Sequence, residues 1–313
     1  MTTQQIYELA VQMGIKADLR GQARVKKYLE RAKKSYEKLD KEAKKEFDQE
    51  KLTNPYSDTR ILVDNKKKEV KKVLAGIDME GPELLLADKM GDIDLVITHH
   101  PEGKALADLH SVMDLQAEVL AQYGVPINIA ESVIEPRISE VGRGVSPANH
   151  DRHVDIARLL KMDYICTHTV ADNLGADYLA KLLKKKNCEF IEDVLKMLKE
   201  IPEYREAIKI KAGPKLFVGK KENSCGKIVV TEFTGGTSGS KEIYEKMAQA
   251  GIGTIIGMHM GEEHRKEAEK YHINVVIAGH MASDSLGMNL FLDKLEKKGI
   301  KIIPTSGLIR VKR

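Results

Sequence analysis

The sequence predicts an α/β fold: two α/β lobes with mostly parallel sheets flanked by helices, preceded by a helical N-terminal extension. Three observations carry this. Short apolar runs alternate with amphipathic segments from residue 60 onward, a Lys/Glu-rich stretch ending in Gly213-Pro214 interrupts the alternation, and residues 1 to about 50 hold no strand-like run. A chain of 313 residues with 42% hydrophobic and 31% charged content has enough apolar material for a full core.

Taken in order, Val25, Leu29, Ala32, Tyr36, Leu39, Ala43 and Phe47 recur every three or four positions in a Lys/Glu-rich background. That spacing predicts an amphipathic extension over residues 1–55, a helical arm packed on the body or on a neighbouring subunit. Asn54-Pro55 breaks the pattern, and Arg60 to Asp64 starts the first strand. Further strands are expected at Val73–Ile77, Leu95–Thr98, Ile127–Ala130, Tyr164–Thr167, Ile228–Thr231, Thr254–Ile256, Val275–Ala278 and Ile300–Ile303. Amphipathic segments near 106–122, 151–161, 174–185, 241–250, 263–271 and 285–298 lie between them. The stretch 186–213, with its helix around Ile191 to Leu198, reads as the join, which divides the chain into lobes 56–205 and 206–313.

Several function classes are disfavoured. Cys166, Cys188 and Cys225 are an odd number without a CxxC pair, so neither a disulfide framework nor a thiolate zinc site is expected, and a reducing, cytoplasmic setting fits. No run approaches the roughly 18 apolar residues of a membrane span. The net charge of +4 is small against 51 basic and 47 acidic residues. The lysine clusters at 66–68, 71–72 and 184–186 lack the stacking aromatics of a nucleic-acid groove and read as solvated helix faces.

The histidines carry the chemistry. Of ten, five stand where an apolar run ends: His99, His100, His168, His259 and His280. In open α/β sheets ligands gather beyond the carboxyl ends of strands, where loops converge and helix N-termini point inward. His168 and His280 each have a carboxylate four residues on, Asp172 and Asp284, so a helix starting there would put each pair on one face. Imidazole with carboxylate suits zinc, iron, manganese or cobalt. Taken singly, a strand-end histidine is more often a structural hydrogen-bonded residue than a ligand and a His/Asp pair more often a surface contact; what favours metal is their common placement.

Asp94-Leu-Val-Ile-Thr-His-His-Pro101, Thr167-His-Thr-Val-Ala-Asp172, Thr234-Gly-Gly-Thr-Ser-Gly-Ser240 and Ala278-Gly-His-Met-Ala-Ser-Asp284 together resemble the NIF-three-like family, also known as type 2 homologues of GTP cyclohydrolase I. The resemblance spans roughly residues 60–313. It implies two divalent metal ions per chain, held by His99, His100, Asp172, His280 and Asp284 in a cleft between the lobes, within a homo-oligomer such as a hexameric ring. The family's last ligand is usually glutamate, one methylene longer than Asp284, and its usual Asn-Leu before the ligand aspartate is Val170-Ala171 here. His168 and Glu262 are the proton-transfer candidates.

The resulting expectation is a metal-dependent hydrolase of a nucleotide or phosphoester, GTP cyclohydrolase-like by resemblance. The alternative is a non-enzymatic metal-binding oligomer with a regulatory or interaction role. Phosphoesterases with an Asp-His-His motif fit less well, because Thr98 precedes the histidines. The Gly235–Gly239 turn either presents backbone N–H groups to a phosphate or is simply a tight turn, since it lacks the Gly-Lys-Ser/Thr ending of a P-loop.

Overall fold

A computed structural model describes residues 1–66 and 69–313; Lys67 and Lys68, part of the first lysine cluster, lie outside the described residues. The N-terminus forms three helices. α1 (Thr3–Ala17) begins at a Thr2–Gln5 capping box and buries Ile6, Tyr7, Ala10 and Val11. Ile6 and Ala10 belong to the same core as Val73, Ile97, Ile165 and Val170. α1 is thus part of the body, and an arm-like placement is seen only for α2 (Gln22–Glu37) and α3 (Lys41–Glu46), where Val25 alone is fully buried.

β1 (Thr59–Val63) follows the Asn54-Pro55 break, and β2 (Lys72–Gly76) leads to α4 (Gly81–Met90). β3 (Leu95–Thr98) runs into α5 (Gly103–Ala107), a 3₁₀ turn over Leu109–Met113, and α6 (Asp114–Gln122). The strand expected at Ile127–Ala130 is instead the first turn of α7 (Ile127–Val145). Pro126 stands at its N-cap, and Ala130, Ile134 and Val141 continue a helical spacing that outweighs the alternating Ile127-Asn-Ile-Ala130. α8 (Asp151–Leu159), β4 (Asp163–Thr167) and α9 (His168–Lys186) complete this part.

The join consists of α10 (Ile191–Lys199) and α11 (Pro202–Lys209). Then come β5 (Lys215–Val218), β6 (Lys227–Val230), α12 (Ile243–Gln249), β7 (Ile252–Gly257), α13 (Glu262–Lys270), β8 (Asn274–Ile277), α14 (His280–Glu296) and β9 (Lys301–Pro304). β5 escaped the sequence pattern because it is a short edge strand whose Lys215 and Phe217 face solvent.

The sheets are ordered β1-β4-β3-β2-β9 and β5-β8-β7-β6. Each has a parallel centre and one antiparallel edge strand, β1 against β4 and β5 against β8. β9, which a boundary at 206 assigns to the second lobe, pairs in parallel with β2 at the edge of the first sheet. The second lobe is therefore an excursion between α9 and α14, which lie side by side. Gly287 makes that approach possible: a Cβ there would sit 2.1 Å from the Ala171 carbonyl oxygen. Among the described residues no helix is long and apolar enough to cross a membrane.

Candidate metal centre

β2, β3, β4, β7 and β8 all deliver their carboxyl ends to the junction of the two lobes. The run Leu95–Thr98 is wholly buried, and at its end the Thr98 hydroxyl lies 3.1 Å from the carbonyls of both Ile77 and His100. The N–H of His100 donates to Ile77 O at 2.9 Å, which fixes the double-histidine turn beside the end of β2. β4 and β8 pass straight into helices whose first residues are His168 and His280. Each histidine therefore shares a helix face with the aspartate one turn on, Asp172 or Asp284.

All five ligands expected from the sequence are brought together, and His168 joins them. His99 Nε2 lies 3.4 Å from Asp172 Oδ1 and 3.5 Å from Asp284 Oδ1. His100 Nε2 and His280 Nε2 stand 3.5 Å and 3.6 Å from Asp284 Oδ2, and His168 Nε2 is 3.9 Å from Asp172 Oδ2. These separations are too long for good hydrogen bonds. Both ring nitrogens of His99, Asp172 Oδ1 and both oxygens of Asp284 are buried with no hydrogen-bond partner among the described residues. Such orphans are costly unless a cation occupies the space between them. Ligand atoms about 2.1 Å from one four-coordinate ion stand about 3.4 Å apart, so the donor set fits a metal in type and spacing. His99, His168 and Asp172 converge closely enough to share an ion, and so do His99, His100 and Asp284.

The electrostatics follow from burial. Desolvation pulls the His99 imidazole down to about 4 against the attraction of Asp284. Burial opposes protonation of His100 too, but Asp284 and Asp78 carry it up to about 9. Burial, together with the negative Asp284 and Asp58, pushes the Asp172 carboxyl well above the usual carboxylate range. Asp284 goes the other way: burial is outweighed by His99, His100 and His280, which hold it well below that range. Burial lowers His280. This cluster competes for positive charge, which a divalent cation supplies without protonating any ligand.

Two carboxylates stand behind the histidines. The Nδ1–H of His168 donates to Asp58 Oδ2 at 2.8 Å, and the Thr169 hydroxyl donates to the same oxygen at 2.6 Å. The Nδ1–H of His100 donates to Asp78 Oδ1 at 2.6 Å. Each bond leaves the Nε2 lone pair facing the cluster, the tautomer a metal ligand needs. Sequence spacing gave no hint of either residue, but sheet register does. Thr59 pairs with Thr167 antiparallel, which sets Asp58 opposite His168, and Gly76 pairs with Thr98 in parallel, which sets Asp78 beside His100.

Glu262 is not part of this assembly. It sits in the first turn of α13, exposed, with its carboxylate held by the Arg265 guanidinium at 2.9 Å, where its charge suits the helix N-terminus. The acidic side chain that does line the cavity beside the cluster is Glu232, at φ 58° in the loop after β6. His259, noted as a strand-end histidine, also lines it, with its ring centroid 4.8 Å from that of His280. The cavity measures ≈30 Å³, room for roughly two or three water centres. A second group, Glu80, Glu102 and His153, gathers nearby. There His153 Nδ1 accepts the Gly81 N–H at 3.0 Å, so a neutral ring carries its proton on Nε2 and has no lone pair left for a metal.

No family model matches the sequence, and no curated protein matches it either. Solved structures do. A NIF3 superfamily protein from Sphaerobacter thermophilus superimposes with TM-score 0.79 at 24% identity, covering 98% of this chain and 99% of that one. Reduced HcgD from Methanocaldococcus jannaschii gives TM-score 0.51 at 20% identity over 84% of this chain and 94% of that one. The first likeness takes in α1 to α3, so the shared architecture reaches beyond residues 60–313.

Proposed function

We propose that this chain, whose fold is that of the NIF3 superfamily, binds two divalent metal ions and is a metal-dependent hydrolase of a small phosphoester. One observation carries the reading. Imidazoles and carboxylates converge at separations that suit a shared ion, and the buried ligand atoms of His99, Asp172 and Asp284 have no hydrogen-bond partner among the described residues. An imidazole Nε2 has one lone pair and joins only one ion. The set therefore divides into His99, His168 and Asp172 on one side and His100, His280 and Asp284 on the other.

Bound there, the ions would supply Lewis-acid polarisation of an electrophilic phosphorus or carbon and would acidify water. The chain's own residues do the rest. Asp58 and Asp78 keep His168 and His100 in the ligating tautomer. With His168 turned to the cluster, the proton-transfer role falls to the groups lining the cavity, Glu232 and His259. Three protein ligands per ion leave coordination positions open, as catalytic sites require. The small cavity favours a phosphoryl group over a whole purine nucleotide. It is also the observation that speaks for the second reading, a metal-binding oligomer without catalysis.

Elemental analysis of the full chain, purified without added metal, beside His99→Ala and His280→Ala tests the first step. About two transition-metal ions per chain, reduced in both variants while circular dichroism is unchanged, support the centre and open a screen of phosphoesters for turnover. A wild-type chain that takes up no zinc, manganese or iron from dilute solution would sink the metal reading. A loaded chain inert to every phosphoester moves the assignment to the non-enzymatic alternative.

A further inference from the structure

The Gly-rich loop between β6 and α12 is held from one side. Gln116 Nε2, on α6, donates to the Gly235 carbonyl at 2.7 Å and to the Thr237 carbonyl at 2.6 Å. Arg137 Nε, on α7, donates to Ser238 O at 3.1 Å, and His264, on α13, lies 3.0 Å from Gly239 O through Nε2. Four successive or near-successive carbonyls are thus claimed by three side chains of the surrounding helices.

The consequence for the N–H groups is geometric. In a trans peptide the C=O and the following N–H point in opposite directions, and the described chain has no cis peptide. Capture of the Gly235 and Thr237 carbonyls by Gln116 therefore turns the N–H groups of Gly236 and Ser238 away from Gln116. From Thr234 to Gly239 no backbone N–H has a hydrogen-bond partner among the described residues. Gly235 and Gly236 have φ 90° and 88°, a left-handed pair that curls the loop and that residues with a Cβ would resist. A Cβ on Gly236 would also press to 3.0 Å from Val112 Cγ1. Unpaired N–H groups on a curled loop form a concave anion seat.

The seat adjoins the metal centre. Thr234, Gly236 and Thr237 line the same cavity as Asp172 and Asp284, whose buried oxygens lack partners. Asp172 and Asp284 would face the ions, which leaves Glu232 as the further acidic group opposing an anion here: its Oε1 lies 3.6 Å from where a Gly239 Cβ would stand.

We propose that this loop is the seat for the phosphoryl group of the substrate, with the N–H group of Gly236, a residue that lines the cavity, as its donor and Gln116 as the positioning residue that aims it. The proposal rests on the metal-dependent reading above and adds the chemistry of the substrate: a phosphomonoester head enters the cavity and its organic part stays outside. This separates the loop from a mere tight turn, in which N–H groups would be spent on the loop's own carbonyls.

The test is calorimetric titration of inorganic phosphate and phenyl phosphate into the zinc-loaded full chain, freed of excess metal, with zinc content measured on each sample. Gln116→Met keeps the side-chain length and removes the donor; it should weaken both probes about tenfold or more at unchanged zinc content. Glu232→Gln, which keeps the residue's shape, should tighten both about threefold to tenfold. Tighter binding of phenyl phosphate assigns the seat to an ester and tighter binding of phosphate to the free anion, and either supports a phosphoryl seat. Equal phosphate affinity in wild type and both variants, with zinc in place, overturns the proposal and leaves the metal centre standing. Failure of the wild type to hold zinc overturns both.

Discussion

His168 opens α9 with its side chain 9% exposed and its Nδ1 bonded to Asp58, which is fully buried. His280 opens α14 with its side chain 41% exposed and no hydrogen-bonding carboxylate behind the ring among the described residues. Both are followed four residues on by an aspartate, and both stand at a strand-to-helix junction. The same pattern thus yields a held imidazole in one lobe and an adjustable one in the other. Spacing decides which side chains share a face, whereas the neighbouring strand decides whether they are held there. His100 lies between these extremes, since its anchor Asp78 is 51% exposed.

The contrast breaks most forcefully at the crossing of the two helices. Gly287→Ala on α14 drives a methyl to 2.1 Å from the Ala171 carbonyl oxygen, whereas Gly175→Ala on α9 meets nothing nearer than 3.5 Å. Urea denaturation should show the first destabilised by about 3 kcal/mol or more, with loss of metal, because neither backbone can yield without moving the ligands. The second should stay within about 1 kcal/mol, its crowding offset by the helix propensity of alanine.

The anchors come next. Asp58→Ala leaves the His168 Nδ1–H and the Thr169 hydroxyl without their acceptor in a dry site, and should cost about 2–4 kcal/mol. Metal affinity, read by competition with a chelator, should fall about 10- to 100-fold. Asp78→Ala, where water replaces the carboxylate, should lower affinity less than about tenfold and leave the melting temperature unchanged. Equal effects at the two positions would remove the distinction between a held and an adjustable side.

Metal addition sharpens the same point. Zinc at about 100 times its dissociation constant should stabilise the wild type by about 2.7 kcal/mol, and Asp58→Ala should need more zinc to reach the same shift. The smallest effect is expected at Glu262. Glu262→Gln removes only a surface contact to Arg265 and should change neither metal content nor phosphoester turnover, both read on the variant beside wild type.

Much of this was legible in the sequence because it is local. Apolar runs ending in histidine mark strand ends, and a strand end in an α/β sheet is a place where side chains meet. What was not legible depends on pairing between distant segments. Asp58 and Asp78 are ordinary carboxylates until the β1–β4 and β2–β3 registers set them against His168 and His100. Ile127-Asn-Ile-Ala130 reads as a strand because its apolar residues alternate with Asn128 over too short a run to show a helical period, and the helical spacing appears only farther along α7. Glu262 stands near the end of β7 in sequence, but it is itself the first residue of α13 and its side chain turns outward to Arg265. The placement of β9 follows from no feature of Lys301–Pro304 itself, since any buried edge would accept that short apolar run.

The return of β9 to the first sheet also orders events in the life of the chain. A ribosome exposes His99 and His100 long before it has made Asp284, and strands 2 and 9 meet only after the whole second lobe has been threaded out and back. Under the proposed division, capture of the ion on the His100, His280 and Asp284 side would then be the closing act of maturation, so that ion would not nucleate folding as zinc does in a zinc finger. If the centre is loaded as proposed, the scaffold would have to stand largely on its hydrocarbon interior until then, and a cell short of metal would accumulate folded, incompletely loaded protein.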